Sequence, residues 1–291
     1  RSLKGGDMVI HLHSSKAGFL GRLACRILGI PAVIYTPHGA SFIRTDTGRP
    51  KRFFFRLLER VGGLFGGTVV GCGPSEAALY SGLGKPALWI ANGVPITPLH
   101  KGPGSDLIVF TGIATAQKDP AFFNRVAEAL SGVKEAAFCW VGDGPLRDSL
   151  CSGNIKVSGW QDRKTVDDYL SRALVYFSTS AWEGLPYGVL EAMNAACALL
   201  LRNVPGNREL VIPGENGCLF DTEEEAAALL AEMLKNRQKT LDMGARSRLL
   251  AESRYSAVLM GEKYRNLYNT VIAGDISRPV LSGNHISHGA A

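Results

Sequence analysis

Short apolar runs alternate along this chain with longer segments in which apolar residues recur at helical spacing. A run at 8–12 predicts a buried strand, and apolar residues three and four apart within 19–27 predict the helix after it. Gly29 and Pro31 end that helix, and a second strand is predicted at 32–36. Because strands keep alternating with helices, the sequence predicts an α/β fold built on parallel sheets.

The alternation continues along the chain, with one interruption near residue 100. Residues 95–105 are rich in Pro and Gly and poor in large apolar side chains, which predicts a linker between two domains. We expect a first domain at 1–98, a second at 105–255, a closing helix at 256–272 and a disordered tail at 277–291. Further strands are predicted at 68–71, 87–90, 107–111, 137–141, 155–157, 174–178, 198–201 and 218–220.

Length and composition agree with two such domains, since the 291 residues include 46 % hydrophobic side chains. The chain begins with Arg1 rather than Met, and its first apolar run starts within ten residues. We therefore expect an incomplete first domain, whose earlier strands would precede residue 1. No stretch approaches the roughly 20 apolar residues of a membrane-spanning helix. The six cysteines form no CxxC pair and most lie in apolar runs, which predicts buried free thiols in a reducing cytosol.

The net charge of +6 is concentrated in the segment 44–60, whose basic residues are Arg44, Arg49, Lys51, Arg52, Arg56 and Arg60. Three phenylalanines at 53–55 interleave with them at the start of an expected helix. Such a segment can lie on an anionic bilayer, with its cations at the headgroups and its rings among them. The alternative is that Phe54, Leu57 and Leu58 belong to the core and the arginines form a solvated face. The segment matches no nucleic-acid-binding motif, so we expect no nucleic-acid partner.

The segment 180–193 is the most informative part of the sequence. A buried strand ends just before it and a helix is expected to begin at 187–188, which places Glu183 on the loop between them. Glu191 then lies about one turn into the helix. Gly184 permits close approach of the backbone, the free N–H groups of the helix start favour a phosphate, and carboxylates accept hydrogen bonds from sugar hydroxyls. The alternative is that Glu183 caps a helix and Glu191 is a solvated surface residue.

This segment resembles the E-x7-E motif of the retaining glycosyltransferases of family 4, which have the GT-B fold of two facing Rossmann-like domains. Other segments resemble further motifs of that family, in the same order along the chain: 92–94, 112–118, 142–145, 157–160, 204–211, 214–217 and 254–268. The resemblance covers nearly the whole chain. It implies transfer of a sugar from a nucleotide-sugar donor, with a UDP-sugar favoured, to a saccharide or lipid-linked saccharide acceptor in polysaccharide or glycoconjugate biosynthesis.

The resemblance also implies roles for individual residues. His38 and Glu183 are the expected catalytic residues, with His38 near the transferred sugar and Glu183 on its hydroxyls. Glu191 is expected to bind the ribose, and Lys118 matches a diphosphate-binding lysine. Ile113 stands where the family has a second diphosphate-binding cation, an arginine. The other expected donor-binding residues are Gly112, Gly142, Gly184, Leu185 and Arg208.

Histidines cluster at the ends of the first two predicted strands. His11 and His13 point to the same side because they are two residues apart, and the segment 36–39 places His38 after the next strand. A metal site there lacks a third ligand at a sensible spacing, and from its position alone we interpret His11 as a core residue with satisfied hydrogen bonds. His13 and Lys16 are candidates for the acceptor side of the site.

No DxD motif follows a predicted strand, so we expect no bound metal and no other cofactor. Lys118, Arg208 or Lys16, together with the helix start, would then stabilise the charge on the leaving phosphate. The family implies front-face attack, in which the leaving phosphate helps to deprotonate the acceptor. Two alternatives stay open: a degenerate fragment that binds nucleotide-sugar without turnover, and a sugar-nucleotide 2-epimerase. The epimerase would need a carboxylate acid–base pair beyond Glu183 and Glu191.

The resemblance implies a location as well. The family's bacterial polysaccharide enzymes act on lipid-linked acceptors at the cytoplasmic face of the membrane, which agrees with the membrane interpretation of 44–60. We therefore expect a cytoplasmic protein that is peripheral on the inner face of the cytoplasmic membrane.

Overall fold

The computed structural model describes residues 8–100 and 107–274, and within them it contains two parallel β-sheets. The sheet of the first domain has the strand order β1-β2-β3-β4, with every neighbouring pair parallel. Its strands are β1 (Ile10–His13), β2 (Val33–Thr36), β3 (Thr68–Gly71) and β4 (Ala87–Trp89). The predicted tail at 277–291 lies outside the described residues.

The sheet of the second domain has the strand order β10-β9-β8-β5-β6-β7 and is also parallel throughout. Its strands are β5 (Leu107–Thr111), β6 (Ala137–Val141), β7 (Ile155–Val157), β8 (Ala173–Ser178), β9 (Ala198–Arg202) and β10 (Gly217–Phe220). All the predicted strands are found, with ends displaced by at most two residues. The α/β class and the two parallel-sheet domains are thereby confirmed.

Helices follow the strands as the alternation predicts. In the described residues they are α1 (Ser15–Leu28), α2 (Arg49–Leu64), α3 (Pro74–Ser81), α4 (Pro120–Ala129), α5 (Arg163–Arg172), α6 (Tyr187–Asn194), α7 (Glu223–Lys235), α8 (Arg237–Arg254) and α9 (Ala257–Ile272). Helix α1 ends as predicted because Gly29 adopts the left-handed conformation (φ 67°) and its N–H donates to the Cys25 carbonyl. Helix α3 was not predicted, since its eight residues are too few to show a helical repeat.

The second sheet has a hydrophobic core on both faces. On one face, Phe123 and Phe177 pack with residues of α4 and α7, and on the other Leu190 packs with residues of α6 and α8. The segment Leu199–Leu201 is fully buried, as expected for a parallel strand covered on both sides. This packing covers both faces of the sheet and holds the carboxyl ends of its strands in one layer.

Helix α9, at the carboxyl end of the described residues, returns to the first domain. Leu267 and Val271 of α9 are buried in one cluster with Ile34 and Ile90 of the first domain. Where the chain crosses back, Val94 exchanges two backbone hydrogen bonds of 2.9 Å, donating to Tyr255 and accepting from Ala257. Helix α9 therefore ties the two domains together.

A buried ion pair joins α1 to α2. Arg22 is 2 % and Glu59 is 5 % exposed, and the Arg22 Nη2–Glu59 Oε2 distance is 3.2 Å. The Tyr35 hydroxyl donates to Glu59 Oε1 at 2.8 Å, and burial raises the pKa of Tyr35, which keeps that proton in place. Gly62 lies against Arg22, where a Cβ would stand 2.6 Å from the guanidinium. These contacts fix which face of α2 points inward.

The inward face of α2 is therefore polar, and the alternative that placed Phe54 and Leu57 in the core is wrong for these two residues. Leu58 is half-buried, while Phe54 and Leu57 are 53 % and 45 % exposed. The reason is that Glu59 and Gly62 occupy the buried side of the helix. Large apolar side chains are exposed on both helices and define what we call the α1–α2 face: Leu20, Ile27, Leu28, Phe53, Phe54, Leu57 and Leu64.

The cysteine prediction holds for most positions. All six cysteines are free thiols, and Cys25, Cys72, Cys139 and Cys197 are buried. Cys218 is partly buried and Cys151 is exposed. As for membrane crossing, no helix in the two described ranges combines the length and the apolar character that a transmembrane span requires.

Candidate functional site

A cavity of about 530 Å³ opens between the two domains, at the carboxyl ends of their strands. The first domain contributes His38, Cys72 and Asn92, and the second contributes residues of the segments 110–118 and 176–191. Ligands of parallel α/β sheets bind at this edge, so the cavity is the candidate site. Seven predicted site residues line it: His38, Gly112, Lys118, Glu183, Gly184, Leu185 and Glu191.

The start of α6 forms one wall of the cavity. Strand β8 ends at Ser178, and α6 begins at Tyr187, as predicted. Gly188 lets the helix rest directly on the strand ends, because a Cβ there would stand 2.6 Å from the Tyr176 hydroxyl and 2.7 Å from Thr111 Oγ1. The N–H groups of the first turn and the positive end of the helix dipole favour an anionic group at this point.

Glu183 is 7 % exposed and forms an ion pair with Lys118. Gln117 donates to the other carboxylate oxygen of Glu183 at 3.4 Å, and the Thr179 hydroxyl donates to the Lys118 carbonyl at 2.7 Å. The loops after β5 and β8 are therefore joined side by side. Because the lysine already has a partner, an anion entering the cavity competes with Glu183 for it.

The other carboxylate of the motif, Glu191, forms an ion pair with Arg163. Arg163 is the first residue of α5 and also pairs with Asp167 at 3.0 Å. No sequence pattern indicated this arginine, since a cation at the start of a polar helix is usually a solvated residue. Both glutamates of the motif are thus paired with cations from other elements.

Glycines bring the ends of β5 and β6 together. A Cβ on Gly142 would clash with the Gly112 carbonyl, and a Cβ on Gly144 would stand 2.6 Å from the Ala114 carbonyl. Gly142 therefore packs against the backbone of Gly112 and does not itself line the cavity. Ile113 lies on the cavity wall and is 48 % exposed, so an apolar side chain occupies the position next to Gly112.

His38 occupies a left-handed backbone conformation (φ 58°), which costs a non-glycine residue about 1–2 kcal/mol. Both of its ring nitrogens have partners: Nε2 lies 2.7 Å from His13 Nδ1, and Nδ1 lies 3.3 Å from Cys72 Sγ. Burial and the neighbouring His13 lower the pKa of His38, so its ring is neutral at pH 7. One imidazole of the pair donates and the other accepts.

His11 and His13 do point to the same side, as predicted, and their ring centroids lie 4.1 Å apart with the ring planes tilted by 32°. His11 Nε2 bonds the Thr36 hydroxyl at 2.9 Å, and its Nδ1 bonds the Tyr268 hydroxyl at 2.8 Å. Burial, followed by the charges of His13 and His38, lowers the pKa of His11 to about 4. The interpretation of His11 is confirmed for its hydrogen bonds, which are satisfied, but His11 is only half-buried and is therefore not a core residue.

Besides Gly142, three predicted residues do not line the cavity. Arg208 is exposed and donates to the Asn203 carbonyl at 3.2 Å, because the turn after β9 directs its side chain to solvent. Lys16 is exposed on the first turn of α1. His13 is exposed as well and reaches the cavity through its bond to His38.

Sequence reasoning assigned no role to Cys72 or Asn92, which also line the cavity. Asn92 is buried, and its Nδ2 donates to the Leu185 carbonyl across the two domains at 2.7 Å. Both residues follow strands of the first sheet, and this position was the signal that could have identified them. In the ranges 8–100 and 107–274, no three or more His, Cys, Asp or Glu side chains are placed to hold a metal ion.

Comparison with protein families gives one match. The sequence model of the family described as Glycosyl transferases group 1 matches residues 99–250. Among curated proteins, the chain is similar to the Escherichia coli UDP-Gal:alpha-D-GlcNAc-diphosphoundecaprenol alpha-1,3-galactosyltransferase. The two are 28 % identical, over 89 % of this chain and 74 % of that protein.

Solved structures share the architecture at low identity. Sucrose-phosphate synthase from Thermosynechococcus elongatus superposes with a TM-score of 0.80 and 16 % identity, over 91 % of this chain and 74 % of that one. The Anabaena protein HepE, solved in complex with UDP and glucose, superposes with a TM-score of 0.75 and 17 % identity, over 89 % and 77 % of the two chains. At such identities the likeness concerns the fold.

Proposed function

Because this chain belongs to the family Glycosyl transferases group 1, whose model matches just over half of it, we propose that it is a retaining enzyme of the family 4 type that uses a UDP-sugar. The observation that carries the proposal is the convergence of Glu183, Glu191, Lys118 and the start of α6 on one cavity. These groups match what a nucleotide-sugar offers: hydroxyls at both ends and a diphosphate between them.

The donor lies along the carboxyl edge of the second sheet in this proposal. Its diphosphate binds at the start of α6 and takes Lys118 from Glu183, which frees that carboxylate for the sugar hydroxyls. Glu191 accepts hydrogen bonds from the ribose, and Arg163 keeps its carboxylate in position. The volume of about 530 Å³ is within the usual range for a pocket that holds a ligand of this size.

The bond between the anomeric carbon and the diphosphate oxygen breaks, and the acceptor oxygen forms its bond on the same face. The acceptor proton passes to the leaving phosphate. Negative charge grows on that phosphate, and Lys118 with the N–H groups of α6 stabilises it without a metal. His38 lies beside the transferred sugar as a neutral ring, which fits a polar contact to a hydroxyl.

The acceptor is a lipid-linked saccharide in this proposal. The name of the Escherichia coli relative specifies UDP-Gal as its donor and a sugar on diphosphoundecaprenol as its acceptor. A second cavity, of about 580 Å³, offers space for saccharide units beside the donor site, with Asp46, Asp119 and Asn203 among its lining residues. Its carboxylate and amide oxygens can accept hydrogen bonds from sugar hydroxyls.

A membrane-facing orientation follows from that acceptor. The α1–α2 face exposes large apolar side chains, and Arg49, Lys51, Arg56 and Arg60 are exposed on the same helix α2. Apolar and basic groups side by side suit an anionic bilayer surface. We propose that the protein works on the cytoplasmic side of the membrane as a peripheral protein, in the biosynthesis of a polysaccharide or glycoconjugate. An epimerase is not favoured, since it would need a carboxylate acid–base pair beyond Glu183 and Glu191, and no other carboxylate of the described residues lines the cavity.

Calorimetry with UDP-galactose, UDP-glucose and UDP-N-acetylglucosamine, each with GDP- and ADP-sugars as controls, tests the donor. We expect one UDP-sugar to bind and to be transferred to a sugar-diphospholipid, with the anomeric configuration of the product equal to that of the donor by NMR. Transfer should persist in EDTA. Binding of no UDP-sugar would overturn the proposal, and a product of inverted configuration would overturn its retaining part.

A further inference from the structure

The turn after β9, residues 203–209, reaches from the second domain into the first. It lies against the donor loop, because a Cβ on Gly206 would clash with the Gly184 carbonyl. At its end, Glu209 Oε1 accepts the backbone N–H of Ser75 at 2.8 Å. Ser75 is in the first turn of α3, whose N-cap residue is Gly73 and provides no capping side chain. Glu209 therefore caps α3 from the opposite domain.

The next residue of α3, Glu76, is 2 % exposed and connects two turns of the first domain. One of its oxygens accepts the N–H of Gly39 at 2.6 Å, and the other accepts the N–H of Cys72 at 2.7 Å. Gly39 follows His38 in the chain, and Cys72 contacts the His38 ring. The carboxylate of Glu76 thus sets both the backbone beside His38 and the side chain behind it.

The turn that Glu76 holds is conformationally demanding. His38 has φ 58° and Gly39 has φ 108°, so two successive residues occupy the left-handed region and need external hydrogen bonds to persist. The turn also touches the donor loop, since a Cβ on Gly184 would stand 3.0 Å from the Gly39 nitrogen. A shift of α3 would therefore move His38 relative to the second domain.

We propose that Glu209 is a positioning residue for His38: from the second domain it holds the start of α3, and through Glu76 it fixes the left-handed turn that carries His38. This places the histidine correctly when the two domains are closed. The catalytic consequence rests on the function proposed above, whereas the effect on the His38 turn does not. Burial raises the pKa of Glu209, and burial followed by the charge of Glu209 raises the pKa of Glu76.

Two different changes should break this connection. Glu209→Ala removes the acceptor of the Ser75 N–H. Gly73→Ala leaves Glu209 intact but adds a methyl group that would clash with its Oε2, and Gly73 is extended (φ −162°), so alanine fits the backbone. Glu209→Gln keeps an oxygen acceptor and should behave like the parent. Arg248→Ala is the control. Arg248 donates to the Thr97 carbonyl at 2.7 Å, so this substitution removes another contact near the domain junction, one that does not involve α3.

The first readout is NMR of the full chain, with the His38 ring signals assigned by His38→Gln, together with exchange of the Gly39 amide. We expect E209A and G73A to shift the His38 ring signals and to accelerate Gly39 exchange about tenfold, as for a weakened hydrogen bond to a carboxylate. E209Q and R248A should leave both unchanged. G73A should add nothing in the E209A background, because the clash has gone. Parent-like His38 signals in both E209A and G73A, or equal changes in R248A, would overturn the proposal.

The second readout is turnover of the UDP-sugar that calorimetry shows to bind. We expect E209A to lower kcat about tenfold while the donor Kd stays constant, because Lys118 and Glu191 are untouched. In the His38→Ala background, E209A should have no further effect on kcat, since the two changes act through the same group. An additive loss would show that Glu209 acts elsewhere. If the parent shows no turnover, the proposed function fails, and the NMR result still decides the role of Glu209.

Discussion

Arg163, the first residue of α5, forms an ion pair with Glu191 at the edge of the cavity between the domains. The side chain of Glu191 is 18 % exposed and that of Arg163 is 57 % exposed, so the carboxylate is the more protected partner. The ion pair restrains the Glu191 side chain, so its carboxylate keeps one position at the cavity wall. It also places a guanidinium near a site in which Ile113 supplies no charge.

Replacing Glu191 by Ala should weaken UDP-sugar binding by about ten- to a hundredfold, the cost of roughly 1.5–3 kcal/mol for a lost charge-assisted hydrogen bond. Calorimetry measures the change directly. Glu215→Ala is the matched control, because Glu215 pairs with Arg246 at 3.1 Å among exposed side chains and does not line the cavity. Equal affinities for the two variants would exclude Glu191 from the donor site.

Ile113→Arg should strengthen UDP binding. Ile113 is 48 % exposed on the cavity wall next to Gly112, so a longer side chain has room to reach a diphosphate at the start of α6. An additional charge-assisted contact is expected to improve the Kd of UDP about tenfold. Val258→Arg, at a position 72 % exposed on α9, adds the same charge away from the cavity. If Ile113→Arg and Val258→Arg improve the Kd of UDP equally, the added charge and not its position explains the gain in affinity.

Much of the second domain could be predicted from the sequence because its strands are buried on both faces. The run at 198–201 contains only apolar residues, and it is both a strand and fully buried. The same logic located Glu183 and Glu191, since the end of a buried strand and the start of a helix fix where a loop lies. The positions of Lys118 and Glu183 on one cavity wall followed from parallel strand order.

The first domain was harder to predict because its packing depends on polar contacts between distant residues. Phe54 and Leu57 have the spacing of a core face, yet the buried side of α2 belongs to Glu59, which pairs with Arg22 of another helix. Likewise, the capping of α3 by Glu209 joins residues 134 apart in the chain. No local pattern encodes such pairs.

His11 should make the protein less stable in mild acid. Its folded-state pKa of about 4 lies below the 6.5 of an unperturbed histidine, so between these values the unfolded chain binds more protons. The groups around it are His13, His38, Tyr264 and Tyr268. Above about pH 6.5 the His11 ring is neutral in both states and its protonation costs the folded state nothing. As the pH falls from 6.5 toward 4, protonation of the unfolded chain lowers the free energy of unfolding. Because His11 is only half-buried, we expect a loss of about 1–2 kcal/mol rather than the full linkage value.

Urea unfolding of the parent and of His11→Gln at pH 7, 5 and 4 measures this effect. The variant should lose about 1–2 kcal/mol less than the parent between pH 7 and pH 4. His100→Gln changes an exposed histidine and should follow the parent. Parallel stability curves for the parent and His11→Gln would show that protonation of His11 does not contribute.

The α1–α2 face should bind anionic membranes. Exposed apolar side chains, among them Phe53 and Leu64 at 70 % each, lie on a helix whose exposed cations include Arg49, Lys51 and Arg56. The rings and aliphatic groups can enter the headgroup layer while the cations neutralise lipid charge, each adding about 1 kcal/mol. Binding to vesicles should therefore rise with the fraction of anionic lipid and fall with salt. Vesicle co-sedimentation measures both dependences.

The controls separate this surface from overall charge. Neutralising Arg49, Lys51, Arg52 and Arg56 to Gln should weaken vesicle binding at least about a hundredfold. A second set of four exposed cations on α7 and α8 gives the same change in net charge and should have a small effect: Lys235, Lys239, Arg246 and Arg254. Phe53→Ser with Leu64→Ser should reduce binding that persists at high salt, because the apolar contribution is not screened. If the α2 variant sediments like the parent, or if both charge variants lose binding equally, the face is not a membrane surface and its cations serve as ordinary solvated side chains.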